Sequence, residues 1–200
     1  MGADRPAGGG NGRRCRLAAR GRLLVAGCLV VGVWSSAHAD QLAVAALVKR
    51  LDLVGYRVGT KPPQFSGPTV DARHVALTDL RGKVVVVNFW ASWCAECRPE
   101  MPVLEALHRE LGSRGLAIIG INAREDKQAV GRYATELGLT FPLVLDPEGK
   151  TNDLYGVIGL PTTFIVGRDG RAVAFGIGPR DWGSAPARAL IESLLAEPAP

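Results

Sequence analysis

"NFWASWCAECRPEMP", residues 88–102, carries two cysteines, Cys94 and Cys97, with two residues between them. Such a pair can supply half of a metal site, form a structural staple, or cycle between dithiol and disulfide. The flanking residues bear on the choice. "VVVVNFW" (84–90) is a continuous, mostly β-branched apolar run and reads as a buried central strand. Downstream, Met101, Leu104, Leu107 and Leu111 recur at three- and four-residue spacing, so a helix is expected from the cysteines to a stop at Gly112. Pro99 suits its first turn, whereas Pro102 lies deeper and is expected to kink it. On this reading Cys94 sits at a helix N-terminus, where unpaired N–H groups and the helix dipole favour a thiolate. Cys97, one turn in, is shielded and within reach as the resolving thiol.

The rest of the chain reads as one α/β domain. A short strand is expected around Val75 and Leu77, with a turn over 79–83. "LAIIGIN" (116–122) and "FPLVLD" (141–146) are strands on either side of an amphipathic helix at 124–138. "TNDLYGV" is a short helical segment. "TTFIV" (162–166) and "AVAFG" (172–176) are strands around a turn at Arg168-Asp169-Gly170, and 182–195 is a last helix. "KPPQFSGP" (61–68) is a turn-rich entry, and 40–60 is an N-terminal extension whose structure the pattern leaves open. There are no internal repeats.

The formal charge of the 200-residue chain is +5. Residues 1–39 hold six arginines and one acid, and the eighteen basic and eighteen acidic residues of 40–200 cancel. The basicity therefore belongs to the leader, and a nucleic-acid partner loses its support. That leader has an arginine-rich start, an apolar run "LLVAGCLVVGV" (23–33), and Ala37-His38-Ala39 before Asp40. This is the plan of a secretory signal peptide, 1–39. Uncut, the same segment would be a membrane anchor, although its eleven-residue apolar run is short against the ~20 residues a span needs. "VAGC" (25–28) and Arg13-Arg14 resemble lipoprotein and twin-arginine signals only weakly. Export places the chain in an oxidising compartment, the periplasm in the case of a bacterial protein. Cleavage removes Cys15 and Cys28 and leaves Cys94 and Cys97 alone. A bridge across so small a loop does little to staple a fold of this size.

A structural zinc site needs four ligands, and beyond the cysteines the exported chain offers only His74 and His108, neither at ligand spacing. No metal and no cofactor are expected. A peroxidase reading fails at the motif, because Pro-x-x-x-Thr-x-x-Cys is absent around Cys94.

"LTDLRGKVVVVNFWASWCAECRPEMPVLEAL" and "YGVIGLPTTFIVGRDGRAV" together resemble the TlpA/ResA/DsbE family of exported thioredoxin-like proteins, over roughly residues 60–196. The resemblance implies a thioredoxin fold over 61–196, with a central mixed sheet flanked by helices and a strand–helix insertion within 116–145. It implies a cis Pro161 facing the cysteines; the competing reading is a trans loop proline. It makes Glu100 the acid nearest the cysteines, since Asn88 stands where thioredoxins proper carry a buried acid. The competing reading of Glu100 is a solvated carboxylate at a helix start. Glu96 departs from the proline frequent before the second cysteine. Trp93 is expected to shield the site and touch a partner, or simply to pack.

The expected function is a thiol-disulfide oxidoreductase that reduces disulfides of exported proteins, with Cys94, Cys97, Glu100 and Pro161 catalytic and Trp93 and Leu160 binding substrate. Its expected partners are proteins bearing disulfides or dithiols, with apocytochrome c maturation, copper-site proteins and general repair all open, and a membrane protein as electron donor. A monomer is expected. The alternative is a thioredoxin-fold module that binds unfolded, haem-protein or copper-protein chains without turnover.

Overall fold

The structure is a computed structural model, and it describes residues 40–200. The expected leader, 1–39, lies outside the described residues. Residues 40–200 form one compact unit. Residues 40–50 are helical (α1). The remaining elements are β1 (Val54–Gly55), β2 (Ser66–Pro68), β3 (His74–Ala76), β4 (Val84–Trp90), α2 (Glu100–Leu111), β5 (Leu116–Ala123), α3 (Lys127–Leu137), β6 (Leu143–Asp146), α4 (Lys150–Leu154), β7 (Thr162–Val166), β8 (Ala172–Ile177) and α5 (Ala185–Ala196). Six strands form a mixed sheet in the order β1-β8-β7-β4-β5-β6, and β2 and β3 make a separate hairpin.

The β-branched run of β4 occupies the middle of the sheet, parallel to β5 and antiparallel to β7. All seven of its residues are buried. Side chains alternate across a strand, and β4 feeds two cores accordingly. Val84, Val86 and Trp90 face the layer built by α1, α2 and α5 through Val48, Met101, Leu104, Leu107, Leu190 and Ile191. Val85, Val87 and Phe89 face Phe65, Leu77, Tyr155 and Phe164 on the other side. Asn88 shares the parity of Val86 and Trp90, which turns an amide toward the α2 layer.

The antiparallel pair β7–β8 and the parallel pair β5–β6 extend the sheet on opposite sides of β4. Helix α3 and strand β6 are the strand–helix addition expected within 116–145, running one residue further to Asp146. The open segment 40–60 supplies α1 and an edge strand, β1, which pairs with β8. Its Val48, Leu51 and Leu53 enter the core. The entry segment 61–68, read as turn, contributes β2 to the hairpin through Ser66↔Ala76 and Gly67↔Val75. Its Gly67 allows close approach, since a Cβ there would lie 2.9 Å from a Val144 methyl.

The helix expected from the cysteines begins later, at Glu100. Residues 94–99 instead make successive tight turns, with Cys97 N–H donating to Cys94 O (3.2 Å) and Glu100 N–H to Cys97 O (3.1 Å). Two prolines explain the delay. Pro99 and Pro102 have no N–H, so the i→i−4 bonds to residues 95 and 98 cannot form. With Pro99 as N-cap, Pro102 falls in the first turn of α2, where an N–H would have no helical acceptor, and the reason for a kink disappears.

Candidate active site

Cys94 and Cys97 are joined in a disulfide, with Cα atoms 5.3 Å apart. They lie in the turns between the C-terminal end of β4 and α2. Cys94 is 7% exposed and Cys97 fully buried, so one sulfur alone is open to attack. Cys94 Sγ accepts a hydrogen bond from the Cys97 N–H at 3.1 Å. The expectation that backbone N–H groups face the reactive sulfur survives in this contact. The placement at a helix N-terminus does not, because α2 starts only at Glu100.

Glu100 is buried at 4% exposure, not solvated. Its Oε1 accepts from the Arg180 backbone N–H (2.5 Å) and the Trp182 indole N–H (3.2 Å). Its Oε2 accepts from Asn88 Nδ2 at 3.3 Å. Burial outweighs these donors and pushes the carboxyl up to about 7, while the hydrogen bonds from Arg180, Asn88 and Trp182 pull the other way. Asn88 Nδ2 also donates to Thr163 Oγ1 (2.9 Å), its cross-strand neighbour on β7. Asn88 Oδ1 has no partner. Rotating the amide would turn that oxygen toward Glu100 and the Thr163 hydroxyl, so the one amide suits both the ionised and the protonated acid.

The Leu160–Pro161 bond is cis. Strand pairing between β7 and β4 starts at Thr162↔Phe89, which sets buried Pro161 level with Trp90, where the chain leaves β4 for the cysteines. Leu160 lies before that pairing begins. It lines a depression of about 420 Å³ together with Trp93, Cys94, Val157 and Ile158. Trp93 is 70% and Ile158 86% exposed. The one accessible cysteine therefore opens onto an apolar rim, the surface a protein chain can cover and dry. Trp93 does not pack inward.

Sequence reasoning brought Cys94, Cys97, Glu100, Pro161, Trp93 and Leu160 to one end of the sheet, and the structure places all six there. It missed Trp182 and Arg180, whose contacts with Glu100 span about eighty residues and carry no local signal. It also missed Glu125. That carboxylate accepts from the Ser92 backbone N–H (2.7 Å), the Ser92 hydroxyl and Asn122 Nδ2 (2.7 Å), and so ties the loop before Cys94 to the end of β5. Arg124 beside it holds a φ of 62°, a left-handed conformation that L side chains rarely adopt. Glu96, which stands where a proline is frequent, is exposed, so water screens its charge from Cys94. Among the described residues no group of three or more His, Cys, Asp or Glu could hold a metal ion.

Residues 58–174 match the AhpC/TSA family. The chain is 40% identical over 114 residues to thiol-disulfide oxidoreductase ResA of Geobacillus thermodenitrificans, covering 57% of this chain and 66% of that protein. It is 36% identical over 122 residues to ResA of Bacillus thuringiensis strain Al Hakam, covering 61% and 70%. It thus spans about two thirds of the length of these curated relatives. Among solved structures, a thiol:disulfide interchange protein of the thioredoxin family from Chlorobium tepidum superposes with a TM-score of 0.63 at 29% identity, over 70% of this chain and 99% of that one. StoA from Bacillus subtilis gives 0.55 at 27% identity, over 66% and 96%. The match over more than half of the chain makes it a member of the AhpC/TSA family, and its similarity to the ResA proteins sets it in the thioredoxin-like group of thiol-disulfide oxidoreductases.

Proposed function

We propose that this protein reduces disulfides of exported proteins through a dithiol/disulfide cycle at Cys94 and Cys97. The observation that carries the reading is the pairing of one accessible and one buried sulfur, with a buried carboxyl three residues further on. In the reduced protein, the Cys94 thiolate attacks one sulfur of a partner disulfide. A mixed disulfide forms and the partner's other sulfur leaves as thiolate. Cys97, once deprotonated, attacks Cys94 Sγ and expels the partner's second thiolate. The partner gains two electrons and the Cys94–Cys97 bond re-forms. A dithiol donor protein, membrane-bound in this reading, returns the electrons.

Glu100, three residues after Cys97, accepts the Cys97 proton. A carboxyl poised near 7 can take up and release a proton at working pH, which a carboxyl at its ordinary value does poorly. Leu160 lies outside the β7 pairing, so its main chain can hold an incoming strand beside Pro161, while Trp93 contributes apolar contact. The export reading rests on the leader's sequence. Among the described residues no helix is long and apolar enough to cross a membrane.

Reduction of insulin or a model peptide disulfide tests the reading. Turnover lost in both Cys94→Ser and Cys97→Ser, with a mixed disulfide accumulating in Cys97→Ser alone, supports it. Peptide binding retained with no turnover in the unaltered protein would support a binding module instead.

A further inference from the structure

Arg180, in the loop between β8 and α5, makes contacts in two directions. Its Nε donates to Leu51 O (2.9 Å) and its Nη2 to Asp52 O (2.8 Å), carbonyls of the turn that follows α1. Its Nη1 donates to the carbonyls of Ile177 (3.3 Å), Gly178 (3.3 Å) and Pro179 (2.9 Å) in its own loop. The fork thus binds the loop to the turn that closes α1. The one carboxylate it meets, Asp52 at 3.3 Å, is 98% exposed, while the arginine side chain is only 18% exposed. A surface ion pair of that kind contributes little, so main-chain acceptors account for the arginine's position. Glycine at 176 makes room for this arrangement, since a Cβ there would lie 2.5 Å from Leu53 Cδ2 and 3.6 Å from Arg180 Nε.

The other direction is the active site. The backbone N–H of this same arginine donates to Glu100 Oε1, and Trp182, two residues on, donates to the same oxygen. We infer that Arg180 is a positioning residue for Glu100: by fastening the β8–α5 loop to the carbonyls of the turn after α1, it fixes the two donors that hold the carboxylate, so the N-terminal segment 40–53 sets the reactivity of the acid at the head of α2. The inference builds on the acid/base role proposed for Glu100.

The surroundings of Glu100 leave few other controls. Strand β4 supplies Asn88, β7 supplies Thr163 through Asn88, and the β8–α5 loop supplies Trp182 and Arg180, while the Glu100 main chain is tied to the cysteine turn through Cys97 O. Arg180 acts on the carboxyl twice, through its backbone N–H and through its charge. The positive charge and the N–H both favour the ionised form. Loosening the loop weakens both, so the carboxyl must titrate at higher pH.

The test is a carbon-detected NMR titration of the Glu100 carboxyl in the oxidised protein, in unaltered, Arg180→Ala and Arg180→Lys forms. Amide exchange over 40–55 and the pH profile of mixed-disulfide release are measured alongside. Arg180→Ala is expected to raise the midpoint by about one pH unit, as for loss of a neighbouring charge and weakening of a backbone hydrogen bond in a loosened loop, and to speed exchange over 40–55. Arg180→Lys keeps the charge but cannot span both sets of carbonyls, so its midpoint should fall between. Asp52→Asn removes the carboxylate, suits the left-handed φ of 53° there and leaves the carbonyl contacts in place, so it should not move the midpoint. Faster exchange over 40–55 with an unmoved Glu100 midpoint would overturn the inference and leave Arg180 a plain clamp. If Arg180→Ala does not fold, the lysine variant decides alone, and an unmoved midpoint refutes. Identical release profiles for Glu100→Gln and the unaltered protein would instead remove the acid/base role, a failure the carboxyl titration keeps separate.

Discussion

Glu100→Gln should make the oxidised protein more stable at alkaline pH and not at acid pH. Burial raises the Glu100 carboxyl from 4.5 to about 7. The native state therefore keeps this proton over a range in which the unfolded chain has lost it. Stability must fall as pH climbs from about 4.5 to about 7 and level off above. At about 1.4 kcal/mol per pH unit, the ionised carboxylate costs the folded state roughly 3 kcal/mol. A glutamine side chain does not titrate and carries no such cost. The exchange itself is tolerable, because the amide oxygen keeps the Arg180 and Trp182 donors. Its NH2 group faces Asn88, whose side-chain oxygen lacks a partner and can rotate to accept it. Urea unfolding of both oxidised proteins between pH 4.5 and 8.5 measures the gap. It should widen in favour of the variant by roughly 2–3 kcal/mol across that range, other titrations cancelling between the two. A gap that stays constant, or widens in favour of the unaltered protein, would refute the reasoning.

Three further outcomes are expected. Glu125→Ala should lower stability by about 1–2 kcal/mol, as for lost hydrogen bonds in a half-buried cluster, and speed alkylation of reduced Cys94 as the Ser92 loop loosens; chemical denaturation and iodoacetamide kinetics check both. Trp93→Ala should leave stability within about 0.5 kcal/mol, the usual range for an exposed site, yet slow capture of a peptide disulfide several-fold in stopped-flow. Intact mass of the exported protein should place its N-terminus at Asp40; a retained Met1 or a lipid on Cys28 would contradict the signal-peptide reading.

Strands whose residues are buried on both faces were legible in the sequence, because a continuous β-branched run has few other uses. Val84–Trp90 and Thr162–Val166 have the bounds the pattern implies. The cysteine helix was misplaced, since apolar spacing marks the face of a helix and not its first hydrogen bond. Pro99 and Pro102 decide where that bond can form. Segment 40–60 resisted because α1 and β1 are held by tertiary contacts, through Leu51, Leu53 and Arg180, and not by local pattern. The acid was found but not its surroundings. Asn88 was noticed only as a replacement for a buried acid; its bonds to Glu100 and Thr163 follow from its parity on β4, which the strand assignment already contained. Trp182 was taken for the start of a helix that begins after it, at Ala185. For Arg180 and Glu125 nothing local in the sequence distinguishes them from surface charges.

The reducing direction is the central claim, and the equilibrium potential of the Cys94–Cys97 couple tests it most directly. The α2 helix starts beyond the cysteines and the buried Glu100 lies close by, so the Cys94 thiolate gains less stabilisation than at a helix N-terminus. A less stabilised dithiol form is a stronger reductant. Equilibration against glutathione and dithiothreitol series, followed by mass after alkylation, should give a value nearer roughly −270 mV, as for thioredoxin, than roughly −120 mV, as for a strong oxidant. A potential above about −180 mV, the level of disulfide isomerase, would contradict the account.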